Sequence, residues 1–220
     1  MMDGRTAETC FEARALDCSR GGRPVLSRLD FKVAPGQALV VTGSNGAGKT
    51  TLLRLAAALA RPTAGHILWA GADIAQDREG HRRRVHLIGH QLGLNPVLSV
   101  AENVRFWARY LGGEGAPGVI EQACASLGVD HLMDMPVRYL SAGQQRRAAL
   151  TRLATTPRPL WLLDEPTVGL DGQGRAQLAG LVDRHLAGGG MALVASHEPL
   201  GFAATTLDLA PYAAGAAEAA

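Results

Sequence analysis

Apolar residues recur along this chain in distinct rhythms. Leu39-Val40-Val41, Val85-His86-Leu87-Ile88, Leu160-Trp161-Leu162-Leu163 and Met191-Ala192-Leu193-Val194-Ala195 are short, nearly continuous apolar runs. Runs of that length without alternation predict strands covered on both faces, as in a parallel sheet. Between them the spacing turns helical. Thr51 to Leu59 reads as a helix stopping before Pro62, and Ser99 with Glu102 makes a capping box that opens a helix over Ala101 to Leu111. Another helix is expected around Ile120 to Leu127. Ser141 and Gln144 cap a fourth, running through Ala154 and stopping near Pro157. Pro24 to Lys32 and Gly65 to Ile74 read as antiparallel hairpins, the second turning at Ala70-Gly71.

The order of these elements predicts an α/β fold: a mainly parallel core sheet, an N-terminal antiparallel β subdomain, and an α-helical insert at about residues 92–150. The insert has internal turns at Gly112-Gly113 and Pro117-Gly118, and Val104, Phe106, Trp107 and Tyr110 on its first helix read as packing residues. Residues 1–208 are expected to form one domain and 209–220 an Ala-rich tail. No internal repeat is evident.

The chemistry sits at the ends of these elements. Gly43-Ser44-Asn45-Gly46-Ala47-Gly48-Lys49-Thr50 lies between a buried strand and a helix start, with Thr51 next. Glycines let successive N–H groups curl toward phosphate oxygens, and the helix dipole adds positive potential. Lys49 can reach the terminal phosphates and the Thr50 hydroxyl can ligate Mg²⁺. Lys49 is one of only two lysines, the other being Lys32. Asp164 and Glu165 close an apolar strand at its carboxyl end, where open α/β sheets bind ligands. Successive strand side chains point oppositely, so the two acids are expected to divide their work: Asp164 toward Mg²⁺, Glu165 toward an attacking water. Ser141 and Gly143, with Gln144 completing the cap, form a second anion-binding helix start. A second phosphate cradle has no use in a site already complete, so it implies a site closed by two chains. Gln91 and His197 each follow a strand end and are placed to face the same crevice.

With those residues in hand, the chain resembles the ATP-binding subunits of ATP-binding-cassette transporters, over roughly residues 10 to 205. Gly43 to Thr50 match the family's Walker A loop, Asp164-Glu165 Walker B, and Leu140-Ser141-Ala142-Gly143-Gln144 the signature. Gln91 matches the Q-loop, Asp171 the D-loop and His197 the switch histidine. The resemblance implies a P-loop ATPase that uses ATP and Mg²⁺, with Gln91 touching the metal and Gln91, Glu165 and His197 catalytic. It implies a homodimer of ATPase subunits bound to integral membrane transporter subunits. Two positions depart from the general pattern: Ala142 replaces a glycine, and Arg20 stands where an aromatic residue normally stacks on adenine. A guanidinium plane can also stack on a base. Both departures, together with Gly89-His90-Gln91 and the short carboxyl-terminal part, are similar to the haem-exporter ATPases of bacterial cytochrome c biogenesis. That narrower likeness implies haem export, or ATP-driven release of a haem-loaded chaperone. The alternatives are a soluble cassette ATPase acting on DNA or ribosomes, and an exporter subunit for another substrate.

Bulk properties narrow the partners. A chain of 220 residues buries about 70% of its unfolded surface, ample for one α/β domain. The net charge of +2 argues for no direct nucleic-acid partner, and Arg82-Arg83-Arg84 reads as a solvated face. No apolar stretch approaches the roughly 18 residues that span a bilayer. The expected location is the cytoplasm, peripheral on the inner membrane. Cys10, Cys18 and Cys124 form no C-x-x-C pair, and no C-x-x-C-H motif accompanies the seven histidines, so no direct haem binding is expected.

Overall fold

The computed structural model describes residues 9–213. Two sheets carry the fold. In the first, β1 (Phe11–Arg20) pairs antiparallel with β2 (Arg23–Val33) across a Gly21-Gly22 turn, and on its other edge with β4 (Ala64–Trp69). β4 turns at Ala70-Gly71 into β5 (Ala72–Asp73), giving the order β2-β1-β4-β5. Pro24 to Lys32 is therefore one long strand and not a hairpin. Its partner is β1, and the positive φ of both turn glycines makes that tight connection possible.

The second sheet is wholly parallel. Its order is β6 (Val85–Ile88), β7 (Leu160–Asp164), β8 (Met191–Ala195), β3 (Ala38–Thr42) and β9 (Thr205–Asp208). Every residue of β7 and β8 is buried, as their unbroken apolar runs require. One face packs, with the antiparallel sheet, around α1 (Lys49–Ala56); the other packs under α7 (Gly172–Ala187). The described part of the expected tail is not loose. Leu209 is completely buried, and Ala213 forms a bridge with Leu26.

α1 ends three residues before the expected Leu59. Ala58 takes a left-handed φ of +54°, its N–H donates to the Leu55 carbonyl, and the Leu59 N–H donates to the Arg54 carbonyl. These two bonds close a Schellman cap. The helix opened by Ser141 is also interrupted. It divides into α5 (Ala142–Leu150) and α6 (Arg152–Thr155) at Thr151, whose hydroxyl donates to the Ala148 carbonyl at 2.6 Å. α2 (Arg78–Arg82) leads into β6.

The insert comprises α3 (Val100–Tyr110), α4 (Pro117–Ser126), α5 and α6, with its own small core around Val104, Ile120 and Val129. Its aromatics are not all core. Phe106 and Tyr110 are exposed and stack on one another at 6.1 Å, because Val100, Val104 and Ala108 already fill the buried stripe of α3. One buried arginine fastens the insert to the sheet and another packs inside the insert. Arg158 donates to the carbonyls of Arg82 and Leu111, at 2.7 and 2.9 Å, while Arg152 lies 4.5 Å over the Trp107 ring.

Buried imidazoles make this fold sensitive to acid. His86 donates from Nε2 to the Thr156 carbonyl at 2.7 Å, and burial drives its pKa down to about 3. Burial also lowers His81 and His185. An unfolded histidine gains its proton near pH 6.5, whereas folded His86 stays neutral until about 3. The stabilisation is therefore whole above about pH 6.5 and is lost on acidification through that window, at up to about 1.4 kcal/mol per pH unit for one histidine. Urea unfolding at a series of pH values should follow this slope, and His86→Gln should flatten it. Equal slopes for both proteins would contradict the assignment.

Candidate active site

The parallel sheet delivers four chain segments to one edge. Beyond β3, the loop from Gly43 curls under α1. Beyond β7 come Asp164 and Glu165, beyond β8 comes His197, and beyond β6 comes His90. They enclose a cleft of about 540 Å³, together with Arg20 from the tip of the β1–β2 hairpin. Asn45, Gly46, Gly48, Lys49, Thr50 and Thr51 form its floor. Gly43, Ser44 and Ala47 shape the loop from behind, where the Ala47 N–H donates to the Ser44 carbonyl. At Gly46 (φ +87°) an added Cβ would meet open space, whereas at Gly48 (φ +102°) it would stand 2.9 Å from Val25. Gly48 is thus a packing requirement as well as a conformational one.

Lys49 is buried, and its ammonium donates to the Gly43 carbonyl at 2.7 Å, the Ser44 carbonyl at 3.2 Å and the His197 Nε2 at 2.7 Å. All three acceptors are neutral. None of these partners is a carboxylate, so the ammonium is left to pair with an anion entering the cleft. The same His197 Nε2 lies 3.3 Å from Glu165 Oε1. One ring nitrogen cannot accept from Lys49 and donate to Glu165 at once, so the two contacts belong to the neutral and protonated imidazole respectively.

Asp164, 2% exposed, accepts the Thr50 hydroxyl at 2.8 Å. Those two hard oxygens suit Mg²⁺, which favours carboxylate and hydroxyl donors beside substrate phosphates. The donor set fits the metal. The expected opposite orientation of the two acids does not hold. Glu165 leaves the strand with φ +49° while its N–H donates to the Ala195 carbonyl, and this turn brings both carboxylates to the cleft.

Ser141, Gly143 and Gln144 do not reach this cleft. They begin α5 with a complete capping box: Ser141 Oγ accepts from the Gln144 N–H at 3.3 Å, and Gln144 Oε1 accepts from the Ser141 N–H at 2.8 Å. Asp171 caps α7 in the same manner, accepting the Gly174 N–H at 2.8 Å. Gln91 is exposed and absent from the cleft lining; its neighbour His90 lines the cleft instead. Sequence reasoning also missed Val168 and Glu198 as lining residues. Each lies within three residues of a predicted site residue, which is the only signal the sequence offers for them.

Residues 26–168 match the ABC transporter family across the phosphate loop, the helix-capping segment and the acidic pair. The chain belongs to that family. It is accordingly an ATP-hydrolysing subunit of the ABC transporter type, without a described helix long and apolar enough to cross a membrane. A cytochrome c biogenesis ATP-binding export protein, CcmA, of Rhodopseudomonas palustris is 46% identical over 195 residues, spanning 87% of this chain and 93% of that one. The CcmA protein of Rhodospirillum rubrum is 46% identical over 194 residues, spanning 88% and 82%. Among solved structures, an ABC transporter ATP-binding protein from Pyrococcus furiosus superposes with a TM-score of 0.83 at 24% identity, over 93% of this chain and all of that one. A bacterial Atm1-family ABC exporter with ATP bound gives 0.77 at 22% identity, over 87% of this chain and 35% of the exporter. These two structural likenesses concern the ABC ATPase fold alone.

In this ABC subunit the signature segment is tightly seated. A Cβ at Gly143 would stand 2.5 Å from the Gly169 carbonyl oxygen, a backbone atom, whereas Ala142 is exposed. Gly143→Ala is expected to cost about 1–3 kcal/mol through forced backbone movement, while Ala142→Gly costs under about 1 kcal/mol. Thermal unfolding of the two variants checks this; equal melting temperatures would refute the close packing.

Proposed function

We propose that this chain hydrolyses ATP with Mg²⁺ as one of two identical subunits, and that it drives the haem-handling transporter of c-type cytochrome biogenesis at the cytoplasmic face of a bacterial inner membrane. The observation that carries the hydrolytic reading is the convergence of the Lys49 ammonium and the Glu165 carboxylate on one imidazole, that of His197, at 2.7 and 3.3 Å. The names of the 46%-identical relatives support the biological assignment. Residues 1–208 act as one ATP-binding domain in this reading.

The loop amides from Gly43 to Thr50 and the Lys49 ammonium hold the β- and γ-phosphates. Thr50 and Asp164 would hold Mg²⁺, which when bound would neutralise charge shared between those phosphates. Glu165 orients a water against the γ-phosphorus and takes its proton. As the new P–O bond forms, the bond to the bridging β,γ-oxygen breaks, and ADP carries that electron pair away. His197 stands between Lys49 and Glu165 on the γ-phosphate side of the cleft. At the other end Arg20 stacks on adenine, a contact worth about 0.5–2 kcal/mol.

The second copy supplies Ser141, Gly143 and Gln144. Their helix start lies outside the chain's own cleft, which supports an anion brought by a facing subunit. Phe106 and Tyr110, stacked and exposed on α3, support a membrane partner seated on the insert.

Two measurements test this reading. Glu165→Gln keeps the shape and Asp164 but loses the base, and steady-state ATP turnover should fall roughly 10²–10⁴-fold with nucleotide binding retained. Near-normal turnover would move the base elsewhere. Mixing Lys49→Ala chains with Ser141→Arg chains should restore activity above either alone, because one composite site of each mixed pair is intact. Failure of every mixture to exceed its components would remove the shared site.

A further inference from the structure

The loop after β6 meets the cleft through the residue that precedes Gln91. His90 lines the cleft, and its Nε2 lies 3.5 Å from Asp164 Oδ2. That oxygen is the one that accepts the Thr50 hydroxyl at 2.8 Å. Gln91, one residue on, is exposed and outside the lining. The same loop is gripped from the opposite side. Arg146 on α5 is buried and directs Nη1 to the Gly89 carbonyl at 3.4 Å. Arg146 and the Ser141–Gln144 cap belong to the same helix. An unbroken line of contacts therefore runs from the start of α5 through Arg146, Gly89 and His90 to Asp164 and Thr50.

We propose that His90 is a positioning residue of the nucleotide site: its imidazole fixes the Asp164 carboxylate and makes that carboxylate's orientation depend on the helical insert. The inference rests on the nucleotide-site reading above. A carboxylate that meets both a hydroxyl and a metal must hold one rotamer, and outer partners of a ligating carboxylate set that rotamer. Thr50 fixes Asp164 from the side of α1, and His90 fixes it from the side of β6. Because Arg146 holds the residue before His90, a shift of α5 relative to the sheet moves the imidazole and loosens the carboxylate. The insert thereby acts on metal-dependent binding without touching nucleotide in its own chain.

Equilibrium titration with trinitrophenyl-ATP, with and without Mg²⁺, tests this on the intact chain and needs no hydrolysis. His90 is largely exposed, so the contact is worth an exposed pair's share. His90→Ala should lower affinity in Mg²⁺ roughly two- to fivefold and leave metal-free affinity unchanged. His90→Gln, which keeps a donor, should recover most of the loss. An unchanged ratio of the two affinities in His90→Ala overturns the proposal. So does an equal loss with and without metal, or a failure of His90→Gln to recover, since either would mark a merely structural role. Lys49→Ala is the control for the underlying reading: if it binds like the parent, the nucleotide site itself is misassigned. If it fails to bind while His90→Ala keeps the parental ratio, only the role of His90 falls.

Discussion

The hydrogen bond from the Thr50 hydroxyl to Asp164 Oδ2, at 2.8 Å, ties the start of α1 to the end of β7. Asp164 ends a strand buried along its whole length, and a carboxylate placed there without a partner would carry a large desolvation cost. Thr50 belongs to the first turn of α1, which the glycine loop delivers from β3, two strands away across β8. The bond can form only if β3, β8 and β7 run parallel with their carboxyl ends level. Their registers keep them so: Val41 and Asp164 both pair with Ala195. Sheet order, loop geometry and the ligand chemistry at the cleft are therefore one constraint.

The cleft also carries strain that packing alone would not select. Glu165 adopts a left-handed φ of +49°, a conformation costing roughly 1–2 kcal/mol for a residue with a Cβ. Without it, strand alternation would send Glu165 to the face opposite Asp164. The N–H to Ala195 bond and the buried Pro166 and Thr167 that follow hold the turn in place. Backbone strain at this position is the means by which two consecutive acids line one cleft.

The legible and illegible parts of the sequence divide along physical lines. The all-buried strands were readable because their runs have no solvent face, and the two capping boxes because their bonds are local. Pro24 to Lys32 was misread because a strand's partner lies outside the strand. β1, central to its sheet, alternates too irregularly to announce itself: Ala15 and Arg28 sit at positive φ where bulges interrupt its register. The break at Thr151 depends on one hydroxyl turning back to Ala148, a choice that periodicity cannot register. Phe106 and Tyr110 looked like core because composition does not say which stripe of a helix is already occupied. In the site, residue types at strand ends were readable. That Glu165 would share a cleft with Asp164, and that His90 would enter it in place of Gln91, depended on single φ angles and loop turns.

The insert is bound to the sheet by shared core and by buried cations together. Beside its own apolar cluster, its Leu127, Leu150 and Leu153 pack with Ile88, Trp161 and Leu163 of the sheet; Arg146 and Arg158 are buried at the junction and reach Gly89, Arg82 and Leu111, while Arg152 is buried within the insert over Trp107. Burial lowers the pKa of all three, and in Arg146 the charges of Asp164 and Glu165 work against that shift. Guanidinium contacts to carbonyls and ring faces are directional but shallow. Arg146 is the member of this set that lies in the field of both acids while its guanidinium donates to the Gly89 carbonyl, so one buried charge stands between the cleft and the helix that Ser141 opens.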